Sequence, residues 1–105
     1  MRSQDWESTS AEAARLVFGD RGATYDHPAV DYKRTADLFA TMTGVELSVP
    51  EAVAFMVCVK LSRISAALTH DFPARVVRDS IVDAAGYLDC MFGVWPEDGY
   101  DDLDE

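Results

Sequence analysis

"VAFMVCVKLSRISAAL", residues 53 to 68, is the most apolar stretch of the chain, yet Lys60 and Arg63 stand in its middle. Apolar side chains recur on nearly every side of it: Val53, Val57 and Ile64 on one, Ala54, Leu61 and Leu68 beside them, Phe55, Val59 and Ala66 opposite. Its length and the lack of period-two alternation make it a helix rather than a strand. The flanks mark its ends. Ser48 and Glu51 form a capping box, and Pro50 falls in the first turn, where a missing N–H does no harm. "HDFP", residues 70 to 73, supplies the stop, because the residue before Pro73 is pushed out of helical angles. A helix over about 50 to 69 that is apolar all round must be covered on most sides.

The rest of the chain supplies three shorter helices to cover it. Thr9 followed by Glu12 predicts a capped start, and Ala13, Leu16 and Val17 carry a helix that stops at Gly19. "GDRGATYDHP", residues 19 to 28, reads as a loop. From Ala29 the apolar residues Tyr32, Ala36, Phe39 and Met42 keep helical spacing until Gly44 ends a second helix. A fourth, over about 74 to 92, aligns Val77, Ile81, Ala84, Leu88 and Phe92 as its core stripe and closes at Gly93. No strand alternation and no internal repeat appears. The expectation is a small all-α, four-helix bundle-like domain over residues 9–95, with a flexible arm at 1–8 on which Trp6 docks, and a disordered acidic tail at 96–105. Three short helices scarcely cover the third, so a homo-oligomer with that helix at or near the interface is expected.

At 105 residues the chain forms one core. Its formal charge is −10, but six of the nineteen acids (Glu97, Asp98, Asp101, Asp102, Asp104 and Glu105) lie in the last nine residues, leaving the body only mildly acidic. Binding to a DNA or RNA backbone is disfavoured by that balance. Cys58 and Cys90 sit in apolar helical patterns without metal or redox spacing, and read as buried thiols of a reducing compartment. Met42, Met56 and Met91 read as core filling. Lys60, Ser62 and Arg63 interrupt the apolar run and residues 1 to 10 are polar, so neither a membrane span nor a secretion signal is read, and a cytoplasmic protein is expected.

Lys60 and Arg63 are i, i+3 neighbours and project from one side of their helix. A cation in an apolar helix needs a carboxylate or another anion. The fourth helix offers Asp79 and Asp83 at i, i+4, on a face shared with Gly86 and Tyr87, where the missing side chain of Gly86 lets a backbone or ligand come close. The four charges can serve as an ion-pair cluster that sets helix register. Equally, they can line a polar site in which the cations hold phosphate and the aspartates hold Mg²⁺ or a sugar hydroxyl. In the 19–28 loop, Arg21 could add to the phosphate grip, with Tyr25 or His27 on a base. No Gly-rich phosphate loop, nucleophile elbow or zinc spacing is present. His27, His70-Asp71 and Asp83 follow the ligand order of HD-type phosphohydrolases, but the His-Asp pair heads a loop instead of lying within a helix.

"GDR…Y-x-HP" at 19 to 28, "KLSR" at 60 to 63 and "DSIVDAAGY" at 79 to 87 together resemble a small, largely uncharacterised family of phage and prophage proteins over about residues 12 to 90. The last segment is also similar to phage nucleotide-modification-associated domains and, more distantly, to the all-helical MazG-like nucleotide pyrophosphohydrolases. Those enzymes face an E-x-x-E pair with an E-x-x-D pair to bind Mg²⁺ at the phosphates. This chain has Lys60 and Arg63 where the first acidic pair would fall, so only Asp79 and Asp83 remain as candidate metal ligands. The resemblance implies a phage-type cytoplasmic accessory protein that binds a nucleotide or nucleotide-derived signal, with Lys60, Arg63 and Arg21 on phosphate, Asp79 and Asp83 orienting the cations or a Mg²⁺, and Tyr25, His27 and Tyr87 at the base. Two alternatives stand beside it: a Mg²⁺-dependent nucleotide pyrophosphohydrolase, and a non-catalytic protein-interaction module in which the charges are structural.

Overall fold

A computed structural model describes residues 6–20 and 27–97. Four α-helices follow in order: α1 (Thr9–Arg15), which leads through Leu16–Asp20 with a kink at the non-helical Gly19, α2 (Pro28–Thr43), α3 (Val49–His70) and α4 (Ala74–Val94). No strand occurs among the described residues, as the periodicity predicts.

The helix ends show why these segments fold locally. At α3 the capping box forms as expected: the Ser48 hydroxyl accepts from the Glu51 amide at 3.2 Å, and the Glu51 carboxylate accepts from the Ser48 amide at 2.8 Å. Donation from the Ser48 amide, and then from the Ser48 hydroxyl, to the Glu51 carboxylate holds that carboxyl below the ordinary glutamate range. Its folded value is depressed, so its contribution is present above the unfolded glutamate range and fades as the pH falls through the folded value. Glu51→Gln is therefore expected to flatten the acid side of the stability profile, and urea unfolding of both proteins at pH 3 to 6 checks this. At the far end Asp71 takes a left-handed conformation (φ 57°), while α2 ends on Gly44 at φ 77°, a shape that glycine adopts freely.

Two ends differ from expectation. α1 is capped by Ser8, whose hydroxyl accepts from Ala11, instead of by a Thr9–Glu12 box. Glu12 is engaged elsewhere: its carboxylate accepts from Arg78 of α4 at 2.8 Å, while the same guanidinium donates to the Glu7 carbonyl at 2.9 Å. α4 runs through Gly93 to Val94, one residue past the predicted close.

α3 and α4 fold back on each other across the short connection Asp71–Pro73. Lys60 lies ten residues before the end of α3 and Asp83 nine after the start of α4, and they meet at 2.9 Å. Positions equally distant from the turn are thus level with each other, as in an antiparallel helical hairpin. α2 crosses one side of this hairpin through Phe39 on Phe55 (6.0 Å between centroids) and Tyr32 on Tyr87 (6.3 Å, edge to face). α1 packs against α4, where Gly86 admits it: a β-carbon at Gly86 would come 3.3 Å from Val17 Cγ2 and 4.0 Å from Ala13 Cβ.

The interior is made of small residues. Ala13, Ala36, Ala52, Val53, Ala67, Val82 and Ala84 form the buried apolar core, with Lys60 and Ser80 beside them. This corrects the core stripe expected of α4: Ala84 is buried, but Ile81, Leu88 and Phe92 are exposed. The helix turns its small and polar face inward, because only side chains of that size let α1, α2 and α3 approach at once. Three further expectations fail the same way. Cys58 is an exposed thiol rather than a buried one, Met42 faces outward instead of filling the core, and Trp6 is exposed rather than docked.

Candidate functional site

The cations of α3 part company. Lys60 is 9% exposed, and its ammonium donates to Asp83, whose side chain keeps 29% of its surface open. The stem of Lys60 is buried while the head reaches a partly open carboxylate. Arg63, one turn nearer the α3–α4 connection, is exposed and makes no ion pair among the described residues. Asp79, also one turn nearer the connection on α4, is exposed and likewise without an ion pair there. The four charges therefore sit at two adjacent levels of one hairpin, a closed pair inside and an open pair outside. The expectation that all four meet in one buried cluster holds only for Lys60 and Asp83. No buried side-chain nitrogen or oxygen among the described residues lacks a hydrogen-bonding partner.

Tyr87 lies one turn from Asp83 on the other side, half-buried under the edge of Tyr32. Tyr32 was legible only as an apolar position of α2, and its place beside the charges comes from helix packing, which no local motif signals. The imidazole of His27 caps α2: Nδ1 accepts from the Ala29 amide at 3.0 Å, leaving Nε2 for any other partner. Arg21 and Tyr25 lie outside the described residues. His70 ends α3 and stacks on Phe72 at 5.7 Å, so the His-Asp pair belongs to a helix terminus rather than a metal site.

Gly86 does not open the cleft toward a ligand, because the space over it is filled by α1. Asp79 and Asp83 offer two carboxylates on one face of α4. No group of three or more His, Cys, Asp or Glu that could hold a metal occurs among the described residues. A Mg²⁺ at this pair would draw most of its six ligands from water and a bound phosphate, and would compete with Lys60 for Asp83. α3 is the one described helix long and apolar enough to cross a membrane by length and composition. It is also the helix that carries the Lys60–Asp83 pair.

Residues 9–94 match the sequence profile of a family described as Domain of unknown function (DUF6378). The Gene 55 protein of Mycobacterium phage D29 is 33% identical over 91 residues, which cover 87% of this chain and 56% of the phage protein. The chain thus spans little more than half the length of that relative. No solved structure matches. Both matches agree with the phage family that the Lys60–Arg63 and Asp79–Tyr87 motifs resemble.

Proposed function

This chain belongs to the DUF6378 family, and we propose that it is a phage accessory protein of the host cytoplasm that binds a nucleotide or nucleotide-derived anion at the charged edge of the α3–α4 hairpin. The observation that carries this reading is the 2.9 Å Lys60–Asp83 pair with unpaired Arg63 and Asp79 one turn away. Arg63 has a guanidinium fork free for phosphate, and Lys60 adds positive potential from a poorly solvated position. Asp83, held by Lys60, and Asp79 can accept from sugar hydroxyls or carry a hydrated Mg²⁺ against the phosphate. The Tyr87–Tyr32 pair offers an aromatic edge one turn further on. Arg21 and Tyr25, close in sequence to His27 at the start of α2, extend the same proposal to the preceding loop.

A thermal-shift panel of nucleoside mono-, di- and triphosphates, with and without Mg²⁺, tests it. A ligand at a hundred times its dissociation constant adds about 2.7 kcal/mol to stability. Intact ligand recovered after denaturing the complex supports sequestration. Released pyrophosphate supports the Mg²⁺-dependent hydrolase instead. Absence of a shift with every member of the panel moves the reading to a protein-interaction module, for which the closed Lys60–Asp83 pair is a register lock.

A further inference from the structure

On the side of the hairpin away from α2, both helices present only uncharged side chains. Leu61 and Leu68 of α3 and Ile81, Leu88 and Phe92 of α4 are 52, 82, 37, 54 and 76% exposed. The hairpin register set by Lys60 and Asp83 brings Leu61 level with Val82, next to Ile81. Turning each helix at about 100° per residue puts the two stripes on a common side. Between them lie Val57 and Ile64 of α3 and Val77 of α4, and along their outer sides Ala54, Cys58 and Ser65 of α3 and Ala85 of α4, again without a charge. In a chain with 27% charged residues, so long a neutral strip on two helices is not a solvated surface.

We propose that this face is where a second copy of the chain docks, two α3–α4 hairpins closing about a two-fold axis into a four-helix core. The dimensions suit that occupant. α3 has 22 residues, so two helices side by side offer a face about 33 Å long and 20 Å wide, near the roughly 800 Å² per partner that stable dimers bury. A neutral face meets its own copy without like-charge repulsion, and Glu51, Arg78 and Asp89 supply a polar rim. A lipid surface is the less suitable occupant. Helices that lie on membranes carry a basic polar face, whereas α3 and α4 balance Lys60, Arg63, Arg75 and Arg78 against Glu51, Asp79, Asp83 and Asp89. The single chain also lacks bulk inside: Val53 is its only fully buried large side chain among the described residues. Pairing through this face leaves the Lys60–Asp83 edge uncovered on both copies, so the dimer stands or falls independently of nucleotide binding.

Sedimentation equilibrium of the full chain decides the matter, with twice 11.6 kDa expected. Leu61→Glu with Leu88→Glu should weaken the dimer a hundredfold or more. Its circular dichroism should stay helical, since neither residue is part of the chain's own interior. Leu68→Lys, at the most exposed of the five positions, is the second variant and should weaken the dimer tenfold or more. A wild-type chain of single mass at all concentrations, a dimer indifferent to both variants, or a monomer that floats with phosphatidylcholine or phosphatidylglycerol vesicles overturns the proposal.

Discussion

Asp83→Ala is expected to destabilise the fold by about 3 kcal/mol, and Lys60→Met by only about 1 kcal/mol. The asymmetry follows from where each partner sits. Without Asp83, the Lys60 ammonium is left 9% exposed with no counter-charge, and its flexible stem recovers only part of the lost solvation. Without Lys60, the Asp83 carboxylate turns its open edge to water, and methionine fills the buried space the lysine stem occupied. The double change Lys60→Met with Asp83→Leu should be close to neutral, because replacing a pair of this kind by apolar groups removes the desolvation cost together with the attraction. Urea unfolding of the four proteins measures all three values at once. If Lys60→Met proves the costlier single change, the burial assigned to the two side chains is reversed.

Gly86→Leu has the second large effect, expected at about 2 to 3 kcal/mol. Even a β-carbon there comes 3.3 Å from Val17 Cγ2, and the branched end of leucine has no room unless α1 lifts away from α4. The damage should be local. Hydrogen exchange should show loss of protection in α1 while α3 and the middle of α4 keep theirs. Gly86→Ala should lie within about 1 kcal/mol of the parent, since the gain in helix propensity offsets a shift of a few tenths of an ångström in Val17. Equal loss of protection throughout the molecule in Gly86→Leu would mean that α1 is part of one cooperative unit with the hairpin.

Much of the fold is legible in the sequence because its signals are local. The Ser48–Glu51 box, Pro50, Gly44 and the Pro73 stop each act within a few residues, and α3 begins, and α2 and α3 end, close to where these place them. The Lys60–Asp83 contact is legible for a different reason: a charge inside an apolar helix demands a partner, and the next helix holds few. What stays hidden is the direction of each face. The apolar stripe of α4 argues for Ile81, Leu88 and Phe92 inside, yet α1, α2 and α3 converge on Ser80, Val82, Ala84 and Gly86, whose size permits close approach. Arg63 differs from Lys60 by about 60° round the helix, enough to move it from interior to solvent. His27 as the cap of α2 escapes the usual signals, which favour hydroxyl, carboxylate and amide side chains.

Calorimetric titration of a nucleotide selected by the thermal screen into the wild-type chain and Arg63→Ala puts the ligand reading to its most direct test. Arg63 is exposed and outside the described ion pairs, so its removal should leave folding stability unchanged. Affinity should fall tenfold or more, the loss of about 1.4 kcal/mol that a guanidinium on phosphate supplies. Equal affinities for the two proteins, with saturable binding in both, would show that the anion binds somewhere other than the hairpin edge beside Lys60 and Asp83.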